Sequence, residues 1–158
     1  MPRYPDVQQQ VPLPVPVLVS RLLAQLDTCA HLVEQVPAGA LREPAAGHAH
    51  GALEVAYRAS QTAVGFLDAA LGGRLTREHL ERRPPGHLTA AADVARLTRS
   101  VSQAVAVWWG ANQARLPASI DTFEGQQPLD AVLERTVDRV TQQARQLGEI
   151  ARAGERGE

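Results

Sequence analysis

The inward face of segment 129–147 carries a carboxamide where an apolar side chain is expected. At about 100° per residue, Leu129, Leu133, Thr136, Val140 and Leu147 share one helical stripe. Gln143 falls inside that stripe and Arg139 sits at its edge. A guanidinium and an amide so placed are equipped to grip an anion through charge-assisted hydrogen bonds. They are poorly equipped for a divalent cation, since a guanidinium has no lone pair to donate and adds positive charge.

Other chemistry-bearing residues carry less. Cys29 is the single cysteine, which excludes an internal disulfide framework. It lies among Leu22, Leu26 and Val33 on an apolar stripe and reads as a packed core thiol. His48 and His50 are two residues apart without a supporting Cys or carboxylate pattern. His31, His79 and His87 fall in polar or loop settings, and all five are expected to be solvated. Ser20, Ser60, Ser100, Ser102 and Ser119 lack a nucleophile elbow. Leu71-Gly72-Gly73-Arg74 is a helix stop rather than a phosphate loop. Asp130, Glu134 and Glu34 read as solvated faces.

Four helical segments must position these groups. The first runs from about Pro16 until Pro37 and Gly39 stop it, with Val19, Leu22, Leu23, Leu26, Cys29, Ala30 and Val33 on one face. The second spans about His48 to Leu71. Its seam of Ala49, Ala52, Ala56, Ala59, Ala63, Phe66 and Ala70 permits close helix approach. After the linker Arg82-Arg83-Pro84-Pro85-Gly86, Thr89 is the expected N-cap of a third helix reaching Leu116. Its inward residues are Val94, Leu97, Val101, Ala104, Trp108 and Ala111. The fourth helix begins near Pro128, a residue suited to the first helical position, and runs to about Ala151. No alternating β-branched run sits between turn signals. The expectation is an all-α, up-and-down four-helix bundle over residues 15–152. An extended proline- and glutamine-rich arm over 1–14 precedes it, and a disordered tail over 153–158 follows.

Composition narrows the partners. With 158 residues, 44% hydrophobic and 21% charged, the chain is one soluble domain able to bury a core. A net charge of −1 offers no electrostatic footprint for nucleic acid or anionic lipid. Every basic residue is Arg, which reads as coding bias. The N-terminal apolar run is broken by Pro12, Pro14 and Pro16 and then by Arg21, so it is no signal peptide. A cytoplasmic protein without nucleic-acid or membrane partners is expected. Trp108 and Trp109 dominate a chain with 4% aromatics. Trp108 continues the third-helix stripe. Trp109 lies about 100° round the helix, and the pair is a candidate cavity wall or interface.

One stretch also carries a resemblance. Leu133-Glu134-Arg135-Thr136 and Gln142-Gln143-Ala144-Arg145-Gln146-Leu147 are similar to the last helix of the DinB/YfiT-like superfamily of metal-dependent enzymes. One branch there reads Leu-Glu-Arg-Thr-Thr-Trp-His-Ser-Ala-Gln-His-Ala-Arg-Gln-Leu. Weaker similarity covers Ala52-Leu53-Glu54-Val55-Ala56-Tyr57-Arg58, Gly65-Phe66-Leu67-Asp68 and Trp108-Trp109-Gly110-Ala111, and in all about residues 12–150. The resemblance implies three metal-binding histidines, one on the second helix and two at i, i+4 on the fourth. Carried over residue by residue, they fall on Arg58, Arg139 and Gln143.

What the resemblance then implies is a bundle with its divalent-metal site lost: no cofactor, no catalytic residues, and a homodimer. The helix-two alanine seam and Trp109 are its candidate contact surfaces. Such a protein is expected to bind a small molecule or another protein. The alternative is an enzyme akin to the thiol-dependent transferases and isomerases among DinB-like relatives, with Arg58 and Arg139 holding an anionic ligand. Two arrangements of the trio stay open. Either it forms an anion pocket, or Arg58 pairs with Glu54, Arg139 reaches solvent and a neighbour satisfies Gln143. The 100° reckoning sets Arg58 away from the alanine seam, so its direction stays open too.

Overall fold

Long amphipathic stretches bounded by proline and glycine fold into four long helices. The computed structural model describes residues 13–44 and 47–155. Helix α1, Val15–Gln35, starts after Pro14 with Pro16 in its first turn, where a missing N–H costs nothing. Its core residues Leu18, Leu22, Leu26, Cys29 and Val33 recur at helical spacing and are fully shielded. A 3-10 turn at Ala38–Ala40 leads towards α2, Ala52–Ala70. Short helix α3 is Arg77–Glu81, α4 is Ala91–Asn112 and α5 is Leu129–Glu155.

The fold is mostly helical, and it also contains a small three-stranded sheet that the sequence reading omitted. Strand β1, Arg74–Leu75, pairs in parallel with β2, Ser119–Thr122, which pairs antiparallel with β3, Gly125–Pro128. Arg74 opposes Asp121 in register, and an ion pair of 2.9 Å joins their side chains. Gly125 at φ 96° closes the β2–β3 hairpin, a left-handed conformation that favours glycine. Pro128 therefore ends a strand, and α5 begins one residue later. The hairpin locks the entry to α5 through Leu129 N–H donating to Ala118 C=O at 3.1 Å.

Helix α1 packs chiefly on α4 and α5, and α2 packs on the same two. The long helices are joined by the stretches 36–51, 71–90 and 113–128, which hold the 3-10 turn, α3 and the sheet. Connections of that length let helices that follow one another in the chain, such as α4 and α5, sit at non-adjacent positions. Phe66 and Trp108 meet edge to face at the centre, 5.5 Å between centroids, a geometry worth about 0.5–1.5 kcal/mol beyond burial alone.

Helix α2 is wrapped on nearly every side. Besides Ala52, Ala56, Ala59, Ala63 and Phe66, it buries Val55, Tyr57, Ser60, Gln61 and Thr62. Ser60 and Thr62 tolerate this because their hydroxyls donate to the Tyr57 and Arg58 carbonyls at 2.7 Å each. From Ala52 to Phe66 the alanine seam is consumed inside the fold, so that stretch offers no surface to a second copy. The seam's first expected member, Ala49, precedes the helix and is exposed.

Three further expectations change. Ala90, in extended conformation, occupies the N-cap of α4 in place of Thr89, and Ala104 and Ala111 face outward. Residues 153–155 continue α5 instead of joining a tail. Of the expected arm and tail, 1–12 and 156–158 lie outside the described residues. No helix among the described residues is long and apolar enough to cross a membrane.

Candidate functional site

The all-round burial of α2 decides where Arg58 goes. Because neighbours cover more than one face of the helix, its side chain is only 22% exposed although it sits off the alanine seam. It lines a cavity of about 150 Å³ between α2 and α5, together with His50, Val55, Arg139, Gln142, Gln143 and Gln146. Arg139 and Gln143 stand i, i+4 on α5, the spacing that stacks two side chains on one helical face. The three residues singled out from the sequence thus share one cavity.

Their pairing combines both arrangements weighed above. Arg58 Nη2 lies 3.1 Å from Glu54 Oε2, and His50 Nδ1 lies 2.5 Å from the same oxygen. Glu54 offsets the charge of Arg58, yet its Oε2 makes no well-directed hydrogen bond with either neighbour. Arg58 Nε and Gln143 Oε1 are also buried without a hydrogen-bond partner. Arg139 is exposed and forms no ion pair among the described residues. The cavity therefore offers one uncompensated positive charge, one free buried N–H and one free buried carbonyl oxygen. A buried group left in that state costs about 1–3 kcal/mol, so it is the kind of feature that calls for a ligand.

The donor set does not fit a divalent cation. Two guanidinium groups supply no lone pair, the one imidazole, His50, already meets Glu54, and the remaining donors are amide oxygens, which are weak ligands. His48 and His50 do not converge: His48 Nε2 lies 3.7 Å from Glu149 Oε1, while His50 meets Glu54. Among the described residues, no group of three or more His, Cys, Asp or Glu is placed to hold a metal ion.

The aromatic pair falls elsewhere. Trp108 is 4% exposed and belongs to the core against Phe66. Trp109 is half-buried and tilts against Trp108 at 6.1 Å. Neither lines the α2/α5 cavity, and Trp108 has no surface to offer an interface. Cys29 is a core thiol whose pKa burial pushes up to about 12. A fully buried thiol with a raised pKa is an inert core side chain. Glu34 is exposed, as expected, and also ties α1 to α4 through Arg99, whose hydrogen bond holds its carboxyl below the usual carboxylate range.

Two features escaped the sequence reading. His79, expected to be solvated, is 7% exposed and holds α3 against α2. The Thr76 N–H donates to its Nδ1 at 3.1 Å, and Nε2 lies 3.0 Å from Asp68 Oδ2. With Nδ1 accepting, the proton of the neutral ring belongs on Nε2, towards Asp68. The Thr76 hydroxyl meanwhile accepts from the His79 N–H at 3.3 Å, which makes this a capping box with His in the place of Glu. Thr76-x-x-His79 was the available signal.

The second feature is a notch of about 30 Å³ beside the cavity, lined by Leu75, Leu80, Val132 and Thr136 and sharing Arg139 with it. A larger hollow of about 220 Å³ lies between Arg42, the start of α2 and Pro84–Leu88, without a free buried cationic group. No protein-family model, curated protein or solved structure matches the chain.

Proposed function

We propose that this chain is a metal-free four-helix bundle of the DinB-like kind that binds a small organic anion between α2 and α5. The observation that carries the reading is the convergence of Arg58, Arg139 and Gln143 on one cavity with two buried polar atoms unpaired. Further support comes from the ring of long helices, in which α1 and α2 each pack on α4 and α5. Arg139 supplies the uncompensated charge and Arg58 Nε an unpaired donor, while Glu54, which also meets His50, offsets the charge of the Arg58 guanidinium. Charge-assisted hydrogen bonds of this type are roughly twice as strong as neutral ones. Among the described residues lining the cavity, only His50 could serve as nucleophile or base, and it already meets Glu54, so the role proposed is binding.

Elemental analysis of the purified protein, paired with a thermal-shift screen of anions, tests the proposal. Stabilisation by a carboxylate or phosphate that Arg139→Ala abolishes is the expected result. Stoichiometric Zn, Ni, Fe or Mn bound at this site would overturn it.

A further inference from the structure

Resting on that anion-binding reading, we infer the class of the ligand: a monocarboxylic acid bearing a hydroxyl or N–H next to its carboxylate and a short branched apolar end. Three observations set the three parts.

The charge comes first. Glu54 offsets Arg58, and Arg139 alone is uncompensated, so the cavity balances one negative charge rather than two. The hydrogen bonds come second. Arg58 Nε–H needs an acceptor, which a carboxylate oxygen supplies, whereas Gln143 Oε1 needs a donor. A bare acceptor anion such as acetate or sulfate would satisfy the first and set its negative oxygens against the second. A hydroxyl or N–H on the carbon beside the carboxylate meets both needs in one small molecule. The shape comes third. The notch of about 30 Å³ shares Arg139 with the polar cavity and has Leu75, Leu80, Phe123 and Val132 in its wall, beside the ion pair of Glu124 and Arg135. A hollow of that size suits a small branched alkyl group. An apolar end there lies beside the alkyl stem of Arg139, whose head faces the carboxylate.

Isothermal titration calorimetry of the full chain with four probes tests this: 2-hydroxyisovalerate, isovalerate, glycolate and sulfate. We expect 2-hydroxyisovalerate to bind at least tenfold more tightly than isovalerate, which lacks the donor, or glycolate, which lacks the branched end. Sulfate should be weakest. Gln143→Leu should erase the preference for the hydroxyl while leaving isovalerate binding, and Val132→Phe should erase the preference for the branched end. Equal binding of all four probes, lost together in Arg139→Ala, would overturn the ligand class and leave the anion site standing. No Arg139-dependent binding of any probe would overturn both. The probe comparison uses the wild-type chain, so it decides the matter whether or not a variant folds.

Discussion

Replacing Gln143 with leucine should stabilise the protein while disabling its site. In the unliganded chain Gln143 Oε1 is buried with no partner, although the residue as a whole is half-buried. An unsatisfied buried acceptor costs about 1–3 kcal/mol, and removing it with a side chain of similar size recovers that cost. Partial exposure of the residue places the expectation in the lower half of the range, about 1–2 kcal/mol for Gln143→Leu. For a chain of this size each kcal/mol moves Tm by about 2–4 °C, so a rise of about 2–8 °C is expected. Urea denaturation followed by circular dichroism, in a buffer without carboxylates or phosphate, measures it. The midpoint should rise with the slope unchanged, as for a change in stability rather than in compactness. A loss of 1 kcal/mol or more would mean that the amide makes stabilising bonds in the free protein, and the case for an unmet polar group would fail.

Other consequences follow from the packing. Cys29 should resist an aromatic disulfide reagent until the chain is denatured, because burial holds its pKa near 12 against an ordinary 9.0. Its effect on stability has a definite sign. Above pH 9 the unfolded thiol loses its proton while the folded one keeps it, so stability falls as pH rises from 9 towards 12. The slope is about 1.4 kcal/mol per pH unit, and a Cys29→Ala variant should lose that component. Gly65→Ala should destabilise, since the new Cβ meets the Leu75 side chain and comes within 2.9 Å of His79 Cβ. Overpacking of about 1–3 kcal/mol outweighs a helix-propensity gain of about 1 kcal/mol. Gly110→Ala, with nothing within 4 Å of its Cβ, should instead gain about 0.5–1 kcal/mol. Urea titrations of the two variants side by side check both signs.

Helical periodicity made the long elements legible. The start of α1, set from about Pro16, came within a residue of Val15, since proline punctuation and the apolar stripe agree there. The position of Gln143 inside the α5 stripe was likewise readable, and with it half of the site. The sheet was not readable. Its strands are two to four residues long, and β1 finds β2 across more than forty residues of chain, so no local alternation announces them. The direction of Arg58 was hidden for a related reason. Gln61 and Thr62 look solvent-facing by type, yet Arg82 donates to Gln61 at 2.8 Å and Thr62 bonds its own helix. Only the tertiary cover shows that α2 has no free side. Thr89 failed as a cap because the chain stays extended through Ala90, one residue further than the hydroxyl can serve.

The most direct measurement is the nitrogen–proton spectrum of the arginine Nε–H groups during titration with 2-hydroxyisovalerate, the Arg58 and Arg139 signals being identified by Arg→Lys variants. Saturable shifts of those two resonances, with the other arginines still, are predicted. If both stay fixed at saturating carboxylate, the cavity between α2 and α5 is not an anion site.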